Sequence, residues 1–288
     1  MIAVVGATGN TGRAVVKELR GLGEEPLSIV RNADKAREVL GANAKIAVAE
    51  VTDRAALQKA LAGSKRVFVV TGHSPQVAEH QINVLEAAKA AGAEFFVKVS
   101  GGRAVVGPDV ESVGMRGHYA VEEALKKSGL GWCVLSPGFF MQNTLAQAPL
   151  IKSEGRIVLA YAADLPLAFI DVRDTGAVGA RILRDPNKHA GKTYAFTGAR
   201  SNFGEFAKVF SEVLGKPVTY VGASLDQAEQ AMKARGMPDW LVAHMAAMGR
   251  AGAAGAFSNE NTQPIREIVG RPPLTMKEFV EGNKAAFS

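Results

Sequence analysis

The stretch Ile2-Ala3-Val4-Val5-Gly6-Ala7-Thr8-Gly9-Asn10-Thr11-Gly12 decides the fold. Its apolar start, with no polar alternation, reads as a strand buried on both faces. It runs directly into glycines at a GxxGxxG spacing, and a helical pattern follows over Thr11–Leu22. Glycines at such a strand-to-helix turn allow a tight reversal, let backbone N–H groups approach a pyrophosphate, and let the helix lie close on the strand. The helix N-terminus adds partial positive charge where phosphates would sit. An ordinary glycine-rich turn would look similar, but its place on the first strand of a repeating pattern argues for dinucleotide binding. Gly6, Ala7, Thr8, Gly9, Asn10, Thr11 and Gly12 are the expected pyrophosphate contacts.

Outward from this turn the same unit repeats. Apolar runs at Ile2–Val5, Leu27–Val30, Ile46–Ala49, Val67–Val70, Phe95–Val99 and Trp132–Leu135 alternate with helical patterns at Thr11–Leu22, Asp34–Leu40, Arg54–Leu61, Gln76–Ala91 and His118–Lys127. The alternation predicts a Rossmann-type α/β fold, a doubly wound parallel sheet flanked by helices. Beyond Asn143 the regularity loosens. Strands are expected at Arg156–Ala160, Leu167–Ile170, Thr193–Phe196 and Val218–Val221, with helices at Asp174–Leu183, Phe203–Leu214, Leu225–Arg235, Pro238–Met248 and Thr275–Ala285. The expected division is a dinucleotide-binding Rossmann domain over residues 1–150 and a smaller α+β substrate-binding lobe over 151–288, some of whose elements return to the sheet. Two segments read as loops. Ser100–Gly117 is long for a βα connection and glycine-rich, which suggests a lid; Ala251–Gly255 is small and flexible.

Composition sets the outer bounds. The 288 residues fit about two lobes at ~150 residues each. With 47% hydrophobic and 22% charged residues, disorder is excluded as the main state. A single cysteine, Cys133, excludes a disulfide framework and a cysteine-based zinc site. The net charge of +6 comes from lysines and arginines dispersed among acids, with no basic run interleaved with aromatics, so no nucleic-acid partner is expected. The longest uncharged stretch, Ser128–Ile151, is broken by Ser136, Pro137, Gly138, Gln142, Asn143, Gln147 and Pro149, and reads as a buried strand plus loop rather than a membrane span. An apolar run begins at Ile2 without a basic leader, and a cytoplasmic protein is expected. His73, His80, His118, His189 and His244 show no ligand spacing, so no metal is expected, and GxSxG is absent. The sequence leaves the oligomeric state open, a homo-oligomer included.

The second strand selects the dinucleotide. It ends Ser28-Ile29-Val30-Arg31-Asn32, without the acidic tip that would bind the ribose 2′-OH of NAD. Arg31 offers a planar, permanently charged fork suited to a 2′-phosphate, and Arg13 stands ready to assist. NADP(H) is therefore expected over NAD(H). The bland alternative for Arg31 is a surface arginine beside a helix capped by Asp34.

Together these residues resemble the NmrA-like group of the atypical short-chain dehydrogenase/reductases, and within it the NADPH quinone reductase and triphenylmethane reductase branch. The segments that carry the resemblance are Gly6–Gly12, Val30-Arg31-Asn32, Gly138-Phe139-Phe140-Met141-Gln142-Asn143 and Phe169-Ile170-Asp171-Val172-Arg173-Asp174, and it extends over nearly the whole chain. It implies further cofactor contacts: Glu50 and Val51 beside adenine, Thr71, Gly72 and His73 beside the pyrophosphate and nicotinamide ribose, and Ser100, Gly101, Pro137, Gly138 and Phe139 around the nicotinamide. It also places Asn143 among the substrate contacts. Asp53 is more simply a helix N-cap.

Short-chain reductases of the usual kind protonate their product with a Tyr and a Lys four residues later. Here the residues four beyond the tyrosines are Glu123, Leu165, Gly198 and Ser224, so no such pair exists. The resemblance puts His118 where the lysine would be, as a contact to cofactor or substrate or as an acid near neutral pH; the alternative is a solvent-facing residue at a helix start. Hydride delivered to a quinone or a dye carbocation leaves a weak base or a neutral product, which water can complete. The sequence thus fits reduction of a conjugated electrophile better than alcohol–ketone interconversion. Its substrate pocket is expected to be apolar and aromatic, with Phe139, Phe140 and Met141 leaving the sixth strand and Trp240, His244, Met245 and Met248 on one helical stripe, although such stripes commonly form plain core. The rival to catalysis is an NADP(H)-sensing regulator that binds a protein partner; a sugar-nucleotide epimerase is disfavoured by the missing Tyr–Lys pair.

Overall fold

The computed structural model describes residues 1–288. Its strands are β1 (Ile2–Val5), β2 (Leu27–Val30), β3 (Ile46–Val48), β4 (Arg66–Val69), β5 (Phe95–Val99), β6 (Gly131–Pro137), β7 (Phe139–Phe140), β8 (Arg156–Leu159), β9 (Leu167–Ile170), β10 (Lys192–Phe196), β11 (Arg200–Ser201) and β12 (Thr219–Gly222). Seven of them form one sheet in the order β10-β6-β5-β4-β1-β2-β3. Every pairing in it is parallel. Chain direction across the sheet reverses between β1 and β4, the switch point at which open α/β sheets bind ligands.

Two apolar layers cover this sheet, which is why its strands carry Val, Ile and Phe with little alternation. On one face lie α1 (Asn10–Gly21) and α2 (Ala33–Leu40), burying Val15, Val16, Leu19, Ala36 and Leu40. On the other lie α3 (Arg54–Ala60), α4 (Val77–Ala90) and α5 (Val113–Lys126), through Leu57, Val84, Leu85, Ala88 and Leu125. After α6 (Ala148–Glu154) the chain makes α7 (Val172–Arg184), which returns to the first face and packs along α1. There the fit is close: a Cβ on Gly176 would lie 2.6 Å from that of Ala14. β10 likewise returns, as the outer strand beside β6, and the helix Gln263–Val269 adds Ile265 to the same core.

The remaining C-terminal elements enclose a separate core. A small sheet of β11, β9 and β7 and a parallel pair, β12 and β8, surround Phe169, Phe203, Phe206, Phe210, Phe279 and Phe287. The ring centroids of Phe169 and Phe203 lie 5.3 Å apart, edge to face, the arrangement aromatic quadrupoles favour. No helix is long and apolar enough to cross a membrane.

Several expectations need correction. α5 starts at Val113, five residues ahead of His118, and Ser112 caps it by accepting from the Met115 N–H. The last five residues of the segment expected as a lid, Val113–Gly117, are therefore helix. Gly117, taken as a loop marker, is instead a close contact, since a Cβ there would lie 2.5 Å from Val77 of α4. The helix beginning at Asp239 runs on to Ala253, taking in the first three residues of the expected flexible Ala251–Gly255. Its Gly249 and Gly252 make room for Leu225 and Tyr161. The short strands β7 and β11 and the helices Ala148–Glu154 and Gln263–Val269 carry too few residues for a periodic signal.

Candidate functional site

The glycine turn sits where the sequence places it, and its geometry explains the spacing. Gly6 has φ +82°, and a Cβ there would lie 1.9 Å from the Val70 carbonyl oxygen. On Gly12 a Cβ would lie 2.1 Å from the Gly6 carbonyl oxygen and 2.8 Å from the Ala7 Cα. A Cβ on Gly9, by contrast, would meet nothing nearer than 3.5 Å, so the protein itself leaves that position free. Gly9 is the N-cap of α1 and supplies no side-chain cap, and the first turn carries no acid. The N–H groups of Asn10, Thr11 and Gly12 donate to no backbone carbonyl. An uncapped helix start beneath a glycine turn is the donor set that an anionic pyrophosphate requires, so these residues fit the dinucleotide.

At the tip of β2, Arg31 is exposed, and Arg13 is exposed beside the turn, donating to Asn10 Oδ1 at 2.7 Å. The cap of α2 is Asn32, whose Oδ1 accepts from the Lys35 N–H at 2.9 Å, and not Asp34, which lies inside the first turn. Past β3, Glu50 is exposed and Val51 half-buried; Asp53 caps α3 through the Ala56 N–H. Past β4, Thr71 Oγ1 accepts from Gln81 Nε2 at 2.8 Å, while Gly72 and His73 are exposed.

The densest chemistry lies between β5 and α5, and its centre, Lys98, is absent from the sequence-derived candidates. Lys98 is fully buried and its Nζ lies 2.9 Å from His118 Nδ1. Burial pulls the ammonium down to about 7; Glu122 holds it up and Arg103 pushes it down. His118 is itself buried, so the solvent-facing alternative does not hold. Its pKa lies well below the ordinary value, by burial first and then by Lys98, His73 and His244. One helical turn on, the buried Glu122 accepts from Ser100 Oγ at 2.6 Å and from Arg103 at 2.8 and 2.9 Å. The sequence did carry a signal for Lys98. It is a cation inside Phe95-Phe96-Val97-Lys98-Val99, and a strand covered on both faces has to bury and pair it.

A small cavity beside His118 is lined by His73, Ser74, Val77, Gly114, Trp240 and His244. The helix Asp239–Ala253 thus reaches the carboxyl edge of the sheet. His244 Nδ1 lies 2.8 Å from Ser112 Oγ, and its ring centroid is 4.8 Å from that of His73. Burial lowers the His244 pKa to about 4. Met245, on the same stripe, is 44% exposed and lines no part of this cavity.

Past β6 the chain crosses into the aromatic core. Ser100 N–H donates to the Leu135 carbonyl, and Ser136 Oγ to the Gly101 carbonyl at 2.6 Å, fixing the β5 and β6 tips together. Pro137 is buried; Gly138 is wedged, with a Cβ there 2.8 Å from the Ala168 carbonyl oxygen. Phe139 meets Tyr161, Phe169, Phe203 and Phe257 edge-on, and Phe140 packs on the sheet core. Met141, expected in the pocket, is 2% exposed within the aromatic core, because the short 3-10 turn it starts directs it inward. Asn143 is exposed. The Phe169–Asp174 segment is a clamp rather than a site. The buried Asp171 accepts from Arg173 and Gln142, and the buried Asp174 accepts from Arg271 and the Leu274 N–H.

Comparison with known proteins agrees with the fold. The chain is 34% identical to an NAD(P)H azoreductase of Xenophilus azovorans over all of its own length and 99% of the relative's. It is 30% identical to quinone oxidoreductase 2 of Escherichia coli, over 97% of each chain. Among solved structures, an NADPH-dependent quinone oxidoreductase from Escherichia coli in complex with NADPH superposes with a TM-score of 0.83 at 29% identity, over 98% of this chain and 99% of the other. The NmrA-like family profile matches residues 1–280, and the chain belongs to the NmrA-like family.

Proposed function

We propose that this protein is an NADPH-dependent oxidoreductase that reduces quinone-like or other conjugated aromatic acceptors. The observation that carries the reading is the uncapped start of α1 above a glycine turn at the sheet's switch point, with the buried Lys98–His118 pair opening onto the same edge. Bound there, the dinucleotide supplies a hydride. The amides of Asn10, Thr11 and Gly12 hold its pyrophosphate, and Arg31, with Arg13 nearby, takes the 2′-phosphate and so favours NADP(H) over NAD(H). Thr71, Gly72, His73, Ser100, Gly101 and Gly138 border the nicotinamide end. Trp240 and Val77 offer apolar contact to an aromatic acceptor, and the imidazoles of His73 and His244 offer flat polar faces beside them. The relatives named azoreductase and quinone oxidoreductase support this substrate class.

The test is NADPH consumption with a panel of quinones and azo dyes, alongside calorimetric titration of NADPH and NADH. Turnover with at least one acceptor and tighter binding of NADPH are expected. Tight binding with no turnover at any acceptor would replace the enzyme by a nucleotide-sensing regulator.

A further inference from the structure

We propose that Lys98 and His118 form a proton relay, in which Lys98 holds His118 as the Nε2–H tautomer and passes it a proton as His118 gives one to the reduced acceptor. The relay rests on the function proposed above. An ammonium has three donors and no acceptor, so a protonated Lys98 at 2.9 Å requires a lone pair on His118 Nδ1. The single proton of the neutral ring is then on Nε2. That nitrogen has no partner in the protein, and His118 lines the cavity with His73, Val77, Trp240 and His244.

The same contact serves both states. Before transfer, Lys98 N–H donates to Nδ1 and Nε2 carries the proton. An acceptor that has taken up hydride holds a new electron pair on oxygen or nitrogen, and His118 Nε2–H protonates it. Nδ1 takes a proton from Lys98 in the same step, leaving a neutral amine that accepts from Nδ1–H. One hydride and one proton have then entered the acceptor. After product leaves, cavity water returns a proton to Nε2, and the Nδ1 proton goes back to Lys98. No heavy atom has to move.

The charges around the pair suit this cycle. Glu122 lies on the same helix but is engaged by Ser100 and Arg103, so it draws the ammonium without taking its proton. His73, past β4, and His244, on the helix Asp239–Ala253, both have lowered pKa values, so neither competes as a cation near neutral pH. Lys98 itself sits at about 7, poised to give up a proton at neutral pH. In this assignment Lys98 is a positioning residue and His118 the catalytic acid.

The experiment pairs nitrogen-15 NMR of His118 with steady-state reduction of menadione by the full-length wild type and K98M. In the wild type below neutral pH, His118 is expected as the Nε2–H tautomer, and turnover is expected to fall as pH rises through about 7. K98M should mix the tautomers, lower turnover about tenfold or more, and remove the pH-dependent fall, with NADPH affinity unchanged. A wild-type His118 in the Nδ1–H form overturns the relay, and this reading needs no variant, so it stands even if K98M does not fold. A K98M enzyme with wild-type turnover and pH profile overturns it too. Wild type that binds NADPH but never reduces menadione or any other acceptor overturns the reductase reading, and the relay with it, whatever the tautomer.

Discussion

Replacing Gly12 and Gly9 of the glycine turn separately should divide folding from binding. In Gly12→Ala the new methyl would start 2.1 Å from the Gly6 carbonyl oxygen and 2.8 Å from the Ala7 Cα, both rigid backbone atoms. Relief to an ordinary contact of about 3.4 Å requires α1 to retreat by roughly 1.3 Å. The helix is not free to do so, because Ala14 is already pressed against Gly176 of α7. Overpacking of this kind costs about 1–3 kcal/mol. At roughly 2–4 °C per kcal/mol for a chain of this size, the melting temperature should drop by about 2–12 °C. In Gly9→Ala the methyl meets only a 3.5 Å contact at φ −75°, an ordinary helix-cap conformation, so stability should change by less than about 0.5 kcal/mol. Its methyl nevertheless occupies the space through which a pyrophosphate would reach the free amides, and NADPH affinity should fall by about tenfold or more, or about 1.4 kcal/mol. Scanning calorimetry and isothermal titration measure the two quantities. A Gly9→Ala protein that melts and binds NADPH like the wild type would remove the phosphates from this turn.

Other parts of the structure make further predictions. Arg31→Glu should weaken NADPH binding far more than NADH binding, and equal losses in titrations of the two would separate Arg31 from the 2′-phosphate. Asp174→Ala leaves the Leu274 N–H and the Arg271 guanidinium without their acceptor. Because Arg271 is partly exposed, the expected loss is about 1–3 kcal/mol in chemical denaturation; a change within error would show that the C-terminal segment is held by packing alone. Acid should also loosen the fold through His244 and His118, whose folded-state pKa values are depressed. Between pH 6.5 and about 4 the unfolded chain binds more protons at His244, so stability rises with pH there and is lost as pH falls, by up to about 1.4 kcal/mol per pH unit for each histidine. His244→Gln should flatten part of that slope in a pH series of melting temperatures, and an unchanged slope would exclude His244 as a source.

Most of the parallel sheet was legible because each strand is covered on both faces, so burial is written as uninterrupted Val, Ile and Phe. The glycine turn was legible for a similar reason, since backbone clashes force its spacing. Glycines inside helices misled in the opposite direction. Gly117, Gly249 and Gly252 look like breaks in a one-dimensional reading, yet each admits a side chain from another part of the molecule. Met141 looked like a pocket residue because nothing local distinguishes an apolar side chain facing a cleft from one facing a core. Lys98 and its partner are twenty positions apart, on a strand and a helix, and only the fold makes them neighbours.

The return of β10 to the far edge of the main sheet, and of α7 to the face of α1, bears on how the protein is made. A nascent chain leaving the ribosome has released the glycine turn within its first few dozen residues, but the apolar flank of that layer stays bare until Val172–Arg184 and then Lys192–Phe196 have emerged. Truncation near residue 150 would leave an unpaired strand edge and a greasy helix face, an invitation to aggregate rather than a miniature nucleotide binder.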